Sequence, residues 1–151
     1  MTTIEHSINT IKSINERPDW DDYFIMTACL VSKRSTCKKL HVGCVIVRDN
    51  RIITTGYNGH IPNTSHTVSI TRDGHEMSTI HAEINAICDA SKRGVPINGS
   101  TAYVTHYPCV NCCKSLIASG VKEVIYESDY NNDPISKELF ELAGVNIRKY
   151  D

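Results

Sequence analysis

The sequence predicts one α/β domain in which crossover helices cover a mostly parallel sheet. Two observations carry this. Short apolar runs of strand type, at 41–47, 102–105 and 123–126, are bounded by turn formers, and beyond residue 80 such runs alternate with segments of helical spacing. A length of 151 residues suits a single core and leaves little room for a second domain.

Residues 1–17 are polar apart from Ile4, Ile8, Ile11 and Ile14, whose three- and four-residue steps fit one side of a helix. We read them as a helical extension laid on the domain surface, with a partner-binding arm as the alternative. The domain proper runs from 18 to 151. Asp19 caps its first helix, Asp21 and Asp22 face the positive end of the helix dipole, and Tyr23, Phe24, Ile25, Met26, Ala28, Leu30 and Val31 supply the buried face. The helix ends near 33–36. The run at 41–47 is a buried strand, Asp49-Asn50 a turn, and 51–57 the returning hairpin partner.

Residues 58–78 carry turn formers and His60, His66 and His75 but no period, so they read as a long loop of the functional or mobile kind. Helical spacing returns with Ile80, Ile84, Ile87 and Cys88 on one face and stops near Gly94. A strand at 102–105, a helix at 110–118 closed by Gly120, and a strand at 123–126 follow. The chain finishes with a helix from Pro134, ended by Gly144, and a last strand at 145–148.

The formal charge of -1 and a pI near 6.6 provide no basic field for a nucleic-acid backbone, though one or two basic residues suffice for a small anion. Seven cysteines, an odd number, rule out full disulfide pairing within the chain. The N-terminus lacks a basic segment followed by an apolar core, and no run approaches the roughly 18 apolar residues of a membrane span. These features predict a reducing cytoplasm, where grouped cysteines bind metal or catalyse more often than they pair.

The grouped chemistry lies in 79–87 and 107–112. His81 and Glu83 are two apart at a helix start; Cys109 and Cys112 are three apart where another helix begins, so both sulfurs fall on one side of a turn. With His81 they make three ligands for a tetrahedral ion. Catalytic zinc sites keep three protein ligands and one open position, whereas structural sites use all four. Pro108 sits where its missing N–H costs nothing, and the helix N-terminus favours thiolates. Glu83, outside the ligand set, is placed to take a proton from an activated water and deliver it elsewhere. A structural site has no use for that carboxylate.

His-x-Glu followed by Pro-Cys-x-x-Cys is the signature of zinc nucleobase deaminases. At these residues the sequence resembles the cytidine deaminase-like superfamily, and within it the deoxycytidylate (dCMP) deaminases, over about 22–150. Further segments share the resemblance: Lys33-Arg-Ser-Thr-Cys37, Val42-Gly43, Gly56-Tyr-Asn-Gly59, Tyr103-Val-Thr105 and Ala143-Gly-Val145. The resemblance implies a three-layer fold with a five-stranded mixed sheet of order 2-1-3-4-5. It also implies zinc on His81, Cys109 and Cys112, Glu83 as proton shuttle, Asn58 holding sugar and base, and the Ala82 backbone bonding the pyrimidine carbonyl. The implied reaction converts dCMP to dUMP and ammonia, supplying dUMP for dTMP synthesis.

A nucleotide needs a phosphate site, which charge assigns to Arg or Lys with hydroxyl help. Arg34 is the first candidate, with Lys33 and Ser35; a solvated helix end is the alternative. Tyr107 and Tyr130 each either stack on the base or pack on the domain. The resemblance further implies a homo-oligomer, a hexamer, activated by dCTP and inhibited by dTTP, with Mg2+ accompanying the triphosphate and effector contacts around Gly56, Tyr57 and Gly59. Relatives often bind a second, structural zinc through extra Cys and His. This chain has His60, His66 and His75 but no Cys between 58 and 78, which speaks against a second zinc, although His66 or His75 with Cys37 offers ligands for one. Cys29, Cys44 and Cys88 read as small core residues, and Cys113 as packing.

The rivals are a deaminase for cytidine, a tRNA adenosine or dCTP, and a zinc-stabilised nucleotide-binding module without turnover. The composition speaks against tRNA, the cations near 34 against an uncharged nucleoside, and Glu83 against a mere binder. Nothing in the residues separates dCMP from dCTP.

Overall fold

The structure is a computed structural model that describes all residues 1–151. In chain order it has α1 (Thr3–Lys12), α2 (Trp20–Ser32), β1 (Gly43–Arg48), β2 (Arg51–Tyr57), β3 (Gly59–His60), β4 (Thr71–Arg72), β5 (His75–Glu76) and β6 (Thr79–Ile80). It continues through α3 (Ala82–Arg93), β7 (Thr101–His106), α4 (Val110–Ala118), β8 (Glu123–Ser128), α5 (Pro134–Leu142) and β9 (Asn146–Lys149).

The five long strands form one mixed sheet in the order β2-β1-β7-β8-β9, which is the 2-1-3-4-5 order implied by the family resemblance. It is less parallel than the alternation of elements suggests. β1 pairs antiparallel with both β2 and β7, and only β7–β8 and β8–β9 are parallel. The hairpin turn is as expected: Asp49 and Asn50 both take positive φ, 53° and 57°, the left-handed pair that lets two twisted strands meet tightly.

Period-two alternation sorts the strand side chains between two cores. Val45, Val47, Tyr103 and Ile125 face α2, packing on Phe24, Ile25 and Ala28. Cys44, Ile46, Ala102, Val104 and Val124 face the other way, onto Ala82 and Ala86 of α3, Leu116 of α4 and Phe140 of α5. The result is three layers, with the helices that carry the His-x-Glu and Cys-x-x-Cys motifs on the same side.

Two glycines set how closely the helices approach. A Cβ on Gly43 would lie 2.1 Å from the Ala28 carbonyl oxygen of α2, and one on Gly56 would lie 2.2 Å from the Ala82 oxygen and 2.5 Å from the Ala86 nitrogen of α3. Gly56 therefore lets the first turn of α3 press on the sheet, where the Asn85 side chain also donates to the Tyr57 carbonyl at 2.7 Å. Gly56→Ala is expected to displace that turn and cost about 1–3 kcal/mol of stability, with a parallel loss of activity. Thermal unfolding and kcat measure both, and an unchanged melting point would show that α3 yields freely.

Four expectations are corrected. No residue of α1 is buried, and Ile4, Ile8, Ile11 and Ile14 are all exposed, so this helix is not laid on the domain; its own capping box, Thr2 with Glu5, holds its first turn. On α2 the buried stripe is narrower than expected, since Tyr23, Met26 and Leu30 are exposed and Phe24, Ile25, Ala28 and Ser32 are buried. Ile80 belongs to β6 rather than to α3, whose buried side is Ala82, Glu83, Ala86 and Ala90, and Cys88 is exposed. The stretch 58–78 is not wholly loop: Gly59–His60 pairs with Thr79–Ile80, and a β4–β5 hairpin turns at Asp73-Gly74. Two-residue strands are too short for any period to show in sequence.

Candidate active site

Two helix starts meet on one side of the sheet. α3 begins at Ala82 with His81 as its N-cap, and α4 begins at Val110 with Cys109 as its N-cap; neither cap side chain bonds its own helix, so both are free for other partners. Cys112 comes from the first turn of α4 and is buried. Between β7 and α4, Tyr107 and Pro108 turn the chain so that Cys109 reaches the start of α3.

His81 Nδ1 lies 3.5 Å from Cys109 Sγ and 3.4 Å from Cys112 Sγ, and the three ligand atoms all fall within 4.8 Å of one another. A tetrahedral zinc with Zn–S about 2.3 Å and Zn–N about 2.0–2.1 Å separates sulfur from nitrogen by about 3.6 Å. The observed distances are thus the edges of a zinc tetrahedron, and the donor set, two sulfurs and an imidazole, is the one that ion prefers. This is the only group of three or more Cys, His, Asp or Glu in the chain with such spacing.

The electrostatics suit a cation. Hydrogen bonds from Cys112 and His81 hold the Cys109 thiol well below its ordinary pKa, which favours the thiolate a metal ligand needs. The same hydrogen bond and burial push the Cys112 thiol up, and the bond to Cys109 raises His81. Binding a divalent ion releases the remaining protons, which links metal affinity to pH.

Glu83 is the buried acid of the site, 4% exposed. Burial raises its pKa above the ordinary carboxylate value, against the pull of its own backbone N–H and of Cys112. A carboxyl moved toward neutral pH beside an ion site has the properties of a proton carrier.

These residues open on a cavity of about 670 Å³, a size suited to a small-molecule ligand. His81, Ala82, Glu83 and Cys109 line its reactive end, and Asn58, Tyr107 and Tyr130 also belong to its wall. The Asn58 amide accepts from Val42 N–H and donates to the Leu40 carbonyl, each at 2.8 Å, which pins 40–42 as one wall and leaves one donor and one acceptor position free. Tyr107 is 8% exposed and packs edge-on against Tyr126, whereas Tyr130 is 48% exposed with its ring edge-on to His106.

The cavity wall does not include Arg34 or Ser35. Arg34 holds its guanidinium 6.0 Å from the centre of the Tyr57 ring. Ser35 is buried and donates to the Asn58 carbonyl at 2.8 Å. The basic side chains in the wall are Lys38 and Lys39, which sequence reasoning passed over because exposed lysines after a helix look like an ordinary solvated turn. His106 was missed as well, because a single His at a strand end has no motif. Cys37, His66 and His75 line the same cavity but form no three-ligand cluster, so the geometry of a second metal site is not met.

Fold and site together define a zinc-dependent deaminase of the cytidine deaminase type. Residues 18–128 match the family model described as the cytidine and deoxycytidylate deaminase zinc-binding region, and the chain belongs to that family. It is 48% identical over 139 residues to ComE operon protein 2 of Bacillus subtilis (strain 168), covering 90% of this chain and 74% of that protein. It is 39% identical over 145 residues to the deoxycytidylate deaminase of Schizosaccharomyces pombe, covering 89% of this chain but only 45% of the yeast protein. Among solved structures, the dCMP deaminase of cyanophage S-TIM5 in complex with dCMP and dUMP superposes with a TM-score of 0.79 at 30% identity, over 90% of this chain and all of that one.

Proposed function

We propose that the protein hydrolyses dCMP to dUMP and ammonia, supplying dUMP for dTMP synthesis. The observation that carries this is the buried Glu83 carboxyl beside a three-ligand site at the end of a nucleotide-sized cavity. The bound dCMP and dUMP of the cyanophage relative support the choice of substrate.

Zinc, when held by His81, Cys109 and Cys112, supplies Lewis acidity and an activated water. Glu83 accepts the proton of the attacking water on a carboxylate oxygen and passes it to N3 of the cytosine ring. Once the C4–O bond has formed, Glu83 takes the second water proton from the hydroxyl on C4 and delivers it to the amino group; the C4–N bond breaks, ammonia leaves and C4 keeps a carbonyl oxygen. Ala82 is the first residue of α3, so its N–H has no partner within the helix and is available to the pyrimidine carbonyl. Asn58 uses its free donor and acceptor on the sugar and base, and Tyr130 covers the open side. Tyr107 acts through packing under that wall. Lys38 and Lys39 bring the positive charge that the phosphate requires, a role the sequence suggested for Arg34 and Ser35.

We extend the proposal to control by dCTP as activator and dTTP as inhibitor, with Mg2+ on the triphosphate, in a hexameric homo-oligomer working in the cytoplasm. Gly56, Tyr57 and Gly59 are the effector candidates, and the Arg34 guanidinium over Tyr57 sets a cation beside them, outside the catalytic cavity.

Turnover of dCMP, deoxycytidine and dCTP by the zinc-loaded protein tests the substrate. We expect dCMP to have the highest kcat/KM. A preference for deoxycytidine would overturn the nucleotide reading, and a preference for dCTP would move the substrate to the triphosphate.

A further inference from the structure

His106 ends β7 three residues before Cys109, on the sheet face shared with Val104, and lines the catalytic cavity. Its surroundings select one tautomer. The Gly43 N–H donates to Thr105 Oγ1 at 3.1 Å, and the same oxygen lies 2.7 Å from His106 Nδ1. Thr105 is buried and its hydroxyl proton has no acceptor within reach other than His106 Nδ1, so we assign the hydroxyl as donor and Nδ1 as acceptor. The ring proton therefore resides on Nε2, which has no partner in the chain. Tyr130, with its ring plane at 84° to the imidazole and 5.8 Å away, supports the ring from the loop after β8. Burial holds the imidazole below its ordinary pKa, consistent with a neutral ring bearing one fixed N–H.

The base of a bound nucleotide must lie against Glu83 and the zinc ligands for C4 to react. Donors elsewhere on the cavity wall then meet the sugar and the phosphate. Of these, Lys38 and Lys39 are exposed, whereas His106 is half-buried, anchored at Nδ1 and packed against an aromatic ring.

We propose that His106 distinguishes a nucleoside monophosphate from the free nucleoside by donating from Nε2–H to a phosphate oxygen, with Thr105 as the positioning residue that fixes its tautomer. This rests on the monophosphate reading above. A rigid neutral donor confers direction, while the lysines contribute charge at a distance. The same hydrogen bond has no counterpart when the phosphate is missing, so its loss must show in the ratio between substrates.

The test compares wild type, His106→Leu and His106→Gln, all zinc-loaded, with dCMP and deoxycytidine. We expect His106→Leu to raise KM for dCMP roughly 10- to 100-fold, the worth of a hydrogen bond to a charged group, with deoxycytidine kinetics unchanged. His106→Gln, whose amide N–H can reach the position of Nε2, is expected to restore most of the dCMP affinity. A wild type that prefers deoxycytidine would overturn the monophosphate reading itself. A wild type that prefers dCMP, with both substrates impaired equally in His106→Leu or neither impaired, would overturn the His106 assignment alone.

Discussion

Glu83→Gln is expected to keep zinc at one ion per chain and to lower kcat by roughly 10²- to 10⁴-fold, the usual contribution of a general acid–base group. Gln matches Glu in shape, so the first turn of α3 and the nearby His81 stay where Gly56 and Asn85 hold them. On the proposed mechanism, the variant loses the ability to carry a proton from water to N3 and on to the leaving amine. It also removes a carboxyl that burial already destabilises in its charged form, so its melting temperature is expected to hold or rise. Steady-state turnover of dCMP, metal analysis and a thermal melt on the same sample check all three. Undiminished turnover would remove Glu83 from the reaction and favour another proton carrier.

The second large effect is loss of the ligand set. Cys109→Ser and Cys112→Ser are each expected to abolish zinc retention and turnover together, because each removes one edge of the observed triangle with His81. Chelation of the wild type should do the same and also lower stability. An ion present at 100 times its Kd contributes about 2.7 kcal/mol to the folded state, which for a chain of this length is roughly 5–10 °C in melting temperature. Zinc retention should weaken as pH falls, since protons compete with the metal for the two sulfurs and His81. Atomic-absorption stoichiometry across pH, with melts in parallel, measures this; zinc-free protein of full activity would refute the site.

Much of the site was legible because its chemistry is local. His81 with Glu83, and Cys109 with Cys112, are pairs within a single helical turn, so their spacing alone brings the groups together. The order of the sheet required the family resemblance, since alternation of elements by itself suggested a more parallel arrangement than β1 and β7 adopt. The residues proposed for the phosphate were the least legible. Arg34 and Ser35 stood out by residue type, but the turn after α2 points Arg34 to Tyr57 and uses the Ser35 hydroxyl on Asn58. Lys38, Lys39 and His106 reach the cavity only because segments far apart in the chain converge there.

The helices show the same division. Cap residues announced where α2 starts and Gly94 where α3 stops, since capping is a matter of a few adjacent residues. Burial was another matter. The isoleucines of α1 and Tyr23, Met26 and Leu30 of α2 have the periodicity of a core face and are exposed, because periodicity describes one helix and burial needs a neighbour.

By itself, then, the sequence put forward His81, Cys109 and Cys112 as ligands and Glu83 as proton carrier, and outlined the longer helices and strands, all of which depend on residue type at short separations. The tertiary structure alone decided which side chains wall the cavity, which glycine seats α3 against the sheet, and that Thr105 and Tyr130 bracket His106. These depend on contacts between residues tens of positions apart, such as Gly43 with Thr105 and Gly56 with Ala82, which no local pattern encodes.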